Sequence, residues 1–144
     1  MSVKFSVAIG AKPPKIWAAL TKPLFMAQWM GEPEMKLEVQ TNWEIASPIY
    51  IRGFHHVKFE NKGVVLQYIN ERRLSYSHLS SASRLADDIE NYSILDFNLS
   101  PTQNQTILSL EVSNFPTETI QNHLMFYWRG TMHKIKAYVE SHSD

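Results

Sequence analysis

The sequence predicts an α+β domain in which one antiparallel sheet lays its apolar face on a single long C-terminal helix, with two short helices after the first strand. Three observations carry this. Apolar residues alternate with polar or small ones at Val3, Phe5, Val7 and Ile9, and again in short runs between Pro33 and Ser113, the two-residue period of half-buried strands. After Pro116, Trp128, Met132, Ile135 and Val139 recur at helical spacing. A chain of 144 residues suits one core, and a one-faced sheet and a lone amphipathic helix are both buried only by packing helix on sheet.

The first strand ends at Gly10. Pro13 and Pro14 suit the first turn of a helix, where a missing N–H costs nothing, and Ile16, Trp17 and Leu20 give it an apolar stripe to about Thr21. After Pro23, the residues Leu24, Phe25, Met26, Trp29 and Met30 form a second short helix that stops at Gly31. Met35, Leu37 and Val39 then alternate as a strand broken at Thr41 and Asn42, and Trp43 and Ile45 start another. Tyr50 to Phe59 reads as strand, Asn61-Lys62-Gly63 as a turn, and Val64 to Ile69 as the returning strand. Leu74, Tyr76 and His78 share one face of the next strand. Ser80 to Asp88 is the least structured stretch, either a solvated acidic loop with Asp87, Asp88 and Glu90 or a mobile lid. Leu95, Phe97 and Leu99 pair through a polar turn, Pro101 to Gln105, with Leu108, Leu110 and Val112. Thr117 caps the last helix, whose Gly130 is either an exposed glycine or a point of close approach.

Composition excludes several kinds of function. Hydrophobic residues make up 44% and charged ones 19%, so the chain is globular rather than disordered. Fourteen basic residues balance fourteen acidic ones, which leaves no long-range field to collect nucleic acid or anionic lipid. No cysteine is present, so disulfides, thiolate nucleophiles and Cys-ligated metals are excluded. No apolar run reaches the roughly 20 residues of a membrane span, and the start lacks a signal peptide's apolar core. The expected location is the cytoplasm. Phosphate-binding loops, nucleophile elbows, dinucleotide fingerprints and zinc-protease motifs are absent.

The segment AKPPKIWAALTKPLFMAQWMG, with Trp17, Leu20, Thr21, Pro23, Trp29 and Gly31, resembles the signature of the START-like (Bet v1-like) helix-grip superfamily, in the branch of Hsp90 ATPase activator homologues. KGVVLQYINERRLSYS, SILDFNLSPTQNQTILSLEVSNFP and YWRGTMHKIKAYVE resemble that family's later hairpins and closing helix, in its order, so the resemblance covers nearly the whole chain as one domain, residues 1–144. The chain departs from the pattern where Asn42 and Trp43 stand in place of a double glycine, and where Asn104-Gln105 replaces a glycine-rich turn. The resemblance implies a curved antiparallel sheet gripping the C-terminal helix around an apolar cavity.

Eight residues are the candidate ligand contacts: Trp29, Phe59, Tyr76, His78, Phe97, Trp128, Arg129 and Met132. The aromatics suit the wall of an apolar pocket, although periodicity does not distinguish a pocket wall from a filled core. Tyr76 and His78 are candidate polar anchors, and Arg129, four residues before His133, a candidate partner for a ligand carboxylate. His55-His56 suggests a metal, but neighbouring strand residues point to opposite faces, so no metal, cofactor or catalytic residue is expected. The expected function is binding of a small apolar or amphipathic ligand. Two alternatives follow from the resemblance: a chaperone partner, as in Hsp90 ATPase activation and stress response, and a polyketide-cyclase-like enzyme using Tyr76 and His78.

Overall fold

The computed structural model describes residues 1–142. Seven strands form one antiparallel sheet in the order β1-β7-β6-β5-β4-β3-β2: β1 (Ser2–Ile9), β2 (Glu38–Gln40), β3 (Pro48–His55), β4 (Val57–Ile69), β5 (Arg73–Ser80), β6 (Ser93–Pro101) and β7 (Thr106–Ser113). Between β1 and β2 come α1 (Pro13–Thr21), α2 (Pro23–Met30) and a 3-10 turn at Pro33–Met35, and the chain ends in α3 (Glu118–Ser141). This is the expected helix-grip arrangement.

The core lies between the sheet's inner face and α3. Leu74 and Tyr76 of β5, Leu95, Phe97 and Leu99 of β6, and Leu108, Leu110 and Val112 of β7 meet Leu124, Trp128, Met132, Ile135 and Val139 of α3, all buried. Thr117 caps α3, its hydroxyl accepting from the Ile120 N–H at 3.1 Å. The far end of α3 is fastened to the sheet edge. Lys136 donates to the Ala8 carbonyl at 2.7 Å, and Glu140 accepts from Lys136 at 2.6 Å and from the Gly10 N–H at 2.7 Å.

Three local expectations are corrected, and a fourth segment is described more closely. The alternation from Met35 to Val39 is only partly strand, because Pro33 opens a 3-10 turn that ends at Lys36 in the left-handed region, φ 49°. Trp43 and Ile45 belong to an irregular loop, residues 41–47, where Asn42 accepts from the Glu44 N–H at 2.9 Å and Trp43 and Ala46 have φ of 60° and 70°. The β3–β4 turn falls at His56, φ 67°, instead of at Asn61 to Gly63, and β4 runs straight through Gly63. A side chain at Gly63 would stand 1.7 Å from the Ser77 carbonyl oxygen, so this glycine marks close approach of two strands. Ser80 to Asp88 is tethered: Ser80 caps a 3-10 turn at Ser81–Ser83, and Asp87 pairs with Lys62 of β4 and accepts from the Tyr92 hydroxyl.

Candidate functional site

The four tryptophans do not scatter; with the neighbouring rings they form a continuous file from the buried core to Tyr68, which is 36% exposed, and back to Trp17. From α2, Trp29 meets Trp128 of α3 at 6.2 Å, Trp128 meets Phe97 of β6 edge-on at 5.6 Å, and Phe97 stacks on Tyr76 of β5 at 6.3 Å. Tyr76 meets Trp43 at 6.0 Å, Trp43 stacks on Tyr68 of β4 at 5.9 Å, and Tyr68 meets Trp17 of α1 edge-on at 5.2 Å. All of these separations fall in the range of favourable ring pairs. Of these rings, Tyr76, Phe97 and Trp128 lie between the sheet and α3.

The file thus brings together Trp29, Tyr76, Phe97 and Trp128, with Met132 buried in the same core. His78 lies two residues beyond Tyr76 on the same face of β5, at the edge of that core. Phe59 and Arg129 stand apart. Phe59 is half-buried near the tip of the β3–β4 hairpin, where its ring faces Gly53 beside Leu37, and Arg129 is on the exposed flank of α3 with His133. Gly130 is also exposed, and a side chain there would meet nothing within 4 Å.

Two residues missing from the expected set, Trp43 and Trp17, are the most informative. Two indoles cap the end of α1, where backbone carbonyls lack helical partners: Trp29 donates to the Ala19 carbonyl at 2.9 Å and Trp43 to the Thr21 carbonyl at 2.6 Å. Trp43 does so from a left-handed backbone, a conformation costing a bulky residue about 1–3 kcal/mol. The only sequence signal for this was its position where the resembled pattern has glycine. Trp17, by contrast, is buried with an indole N–H that has no hydrogen-bond partner.

Burial shifts three titratable groups along the core. Burial, reinforced by His123 of α3, pushes the His78 imidazole down to about 4, so it is neutral at pH 7. Burial and the neighbouring Tyr127 raise Tyr76 well above the usual phenol range, and burial pushes Tyr127 up to about 12. Tyr127 donates to the Met30 carbonyl at 2.7 Å, joining α3 to the end of α2. The Asn61 side-chain carbonyl of β4, like the Trp17 N–H, is buried without a partner. These groups donate or accept hydrogen bonds but supply no acid–base pair near neutral pH.

At the hairpin tip, His55 and His56 do not point apart as strand residues would. The turn at His56 brings the rings to 4.6 Å, and among the described residues no third His, Cys, Asp or Glu joins them to make a metal-binding group. Two surface depressions are lined by residues outside the aromatic file. One of about 520 Å³ is lined by Ile69, Arg72, Arg73, Asn98, Leu99 and Ser100, beside the β4–β5 turn. Among the described residues no helix is long and apolar enough to cross a membrane.

Residues 10–140 match the family described as activator of Hsp90 ATPase homolog 1-like protein. Among solved structures, a protein from Cytophaga hutchinsonii is 26% identical, with 98% of this chain and 94% of that one covered at a TM-score of 0.80. The Aha1 dimer from Colwellia psychrerythraea is 20% identical, with coverage of 97% and 96% and a TM-score of 0.75. A Chromobacterium violaceum protein, 17% identical, covers 96% of this chain and 97% of its own at a TM-score of 0.80. No curated protein sequence matches the chain.

Proposed function

This chain belongs to the activator of Hsp90 ATPase homolog 1-like family, and from that premise we propose that it is a cytoplasmic START-like domain that binds a small, largely apolar or amphipathic molecule between its sheet and α3. One observation carries the reading: an interior dominated by apolar and aromatic side chains contains polar atoms with nothing to bond, the Trp17 indole N–H and the Asn61 carbonyl oxygen. Such an atom costs about 1–3 kcal/mol when left unpaired. A ligand with an apolar body and a polar end would satisfy them. Trp29, Tyr76, Phe97, Trp128 and Met132 would contact its body, and His78 and Tyr76 its polar end. Phe59 would lie at the mouth with Leu37, and Arg129 would meet only a group reaching the outer flank of α3.

Native mass spectrometry of the purified chain tests this. A co-purified molecule of a few hundred daltons, lost on organic extraction with a fall in melting temperature, is the expected result. Protein of apo mass throughout, with a melting temperature unmoved by extraction, would overturn it.

A second reading, a protein-partner role resembling chaperone ATPase activation, is favoured by the exposed apolar tip of the β3–β4 hairpin, where Phe54 and Val57 are 50% and 64% exposed. Co-precipitation with Hsp90 and stimulation of its ATPase, both lost in Phe54→Ser/Val57→Ser, are expected on this reading. No effect of the wild-type chain would end it.

A further inference from the structure

We propose that the space filled by the Trp43 side chain is a recognition slot for a flat bicyclic aromatic molecule bearing a ring N–H, and that Trp43 occupies it as an internal stand-in which such a ligand displaces. The proposal rests on the small-molecule reading above and gives that reading a ligand class.

The indole meets the features of a bound ligand. Tyr68 stacks against it at an interplanar angle of 28°, Tyr76 closes its other contact at 57°, and the Thr21 carbonyl at the end of α1 accepts its N–H at 2.6 Å. That carbonyl is one of those a helix end leaves without a backbone partner, so its acceptor is set by the fold whichever indole arrives. The wall also holds a spare donor: Trp17, whose own N–H has no partner, packs on the same Tyr68 ring.

The segment carrying Trp43 is built to release it. Its second half is anchored to β4, with Ala46 donating to the Val65 carbonyl at 2.8 Å and Val65 donating to the Ser47 carbonyl at 2.9 Å. Its first half is held by bonds among its own residues, Trp43 N–H to Thr41 and Glu44 N–H to Asn42, and by the indole latch. Trp43 and Ala46 both sit in the left-handed region, while Asn42, Glu44, Ile45 and Ala46 are exposed. Withdrawing the indole removes one of the restraints that hold Trp43 in an unfavourable backbone conformation. Relaxation of that backbone lowers the cost of opening.

A ¹⁵N-HSQC titration of the full chain with indole and with N-methylindole, in wild type and in Trp43→Gly, tests the slot. Indole is expected to perturb the Thr21, Tyr68 and Tyr76 amides in both proteins and to bind the variant about tenfold or more tightly, because the tethered competitor is gone. N-methylindole, which has no donor for Thr21, is expected to bind about tenfold more weakly than indole. In wild type the Trp43 indole N–H signal moves as indole is added. A folded variant whose three amides ignore indole overturns the proposal, as does equal binding of the two probes, or indole binding confined to the variant. Should Trp43→Gly not fold, Trp43→Phe serves, its smaller ring lacking the N–H and competing less well, and the wild-type titration decides alone if both fail. A different molecule found by native mass spectrometry, with indole ignored, rejects the slot and leaves the broader reading standing; neither result rejects both.

Discussion

Gly63 and Gly130 are one residue type in opposite situations, and the same substitution separates them. At Gly63 a methyl group would collide with the Ser77 backbone, and the collision is with a strand rather than a flexible side chain. Gly63→Ala is expected to lose about 3 kcal/mol or more, or to fail to fold. At Gly130 the added methyl meets open space, so Gly130→Ala should gain up to about 1 kcal/mol from helix propensity. Urea unfolding of the two variants measures both. His78 adds a dependence on pH. Its folded value of about 4 lies below the 6.5 of an ordinary imidazole, so the unfolded chain takes up the proton first, and stability held above pH 6.5 falls as pH drops toward 4. The full displacement corresponds to about 3 kcal/mol; because the ring keeps some exposure to water, a loss of about 1–2 kcal/mol is expected. Comparing urea midpoints at pH 7 and pH 4.5 for wild type and His78→Phe checks it. The wild type should lose more than the variant.

At the scale of elements, caps and turns decide more than apolar pattern does. Thr117→Ala removes the hydroxyl that accepts the Ile120 N–H, and about 1 kcal/mol of stability should go with it, read from thermal unfolding followed by circular dichroism. The cap was legible in the sequence, as were β1, both short helices, the β6–β7 hairpin and α3, because each rests on a two-residue or helical period or on a proline at a helix start. The hairpin from β3 to β4 was not. Its turn uses His56, with no glycine or proline at the turn to announce it, while Gly63, which suggests a turn in the sequence, serves strand approach instead. The same limit applied to the site. Periodicity places Tyr76, Phe97 and Trp128 on inner faces, where they do meet, and Phe59 with them, though a hairpin tip carries that ring elsewhere, while Arg129 stands on the helix flank it shares with His133. Trp43 escaped because a left-handed tryptophan has no local signature; only the two glycines it helps replace in the resembled pattern hinted at the backbone there.

For the molecule as a whole, α3 supplies one entire side of the core. Ending the chain at Pro116 would uncover Leu95, Phe97, Leu108, Leu110 and Val112 together, an apolar face larger than soluble monomers usually expose. Such a truncation should bind 1-anilinonaphthalene-8-sulfonate strongly and sediment as aggregate, whereas a folded, monomeric truncation would show that the sheet closes its own core. The sheet order has a further consequence in time. β1 is paired only through β7, with Ser2 opposite Ser113 and Ile9 opposite Thr106, so the first strand of the sheet must wait for the last one to be synthesised. At a synthesis rate of about 5–20 residues per second, the nascent β1 stays unpaired for several seconds. Throughout that interval its Val3, Phe5, Val7 and Ile9 are open to any passing strand, which makes β1 the segment for which holding chaperones would be needed during translation.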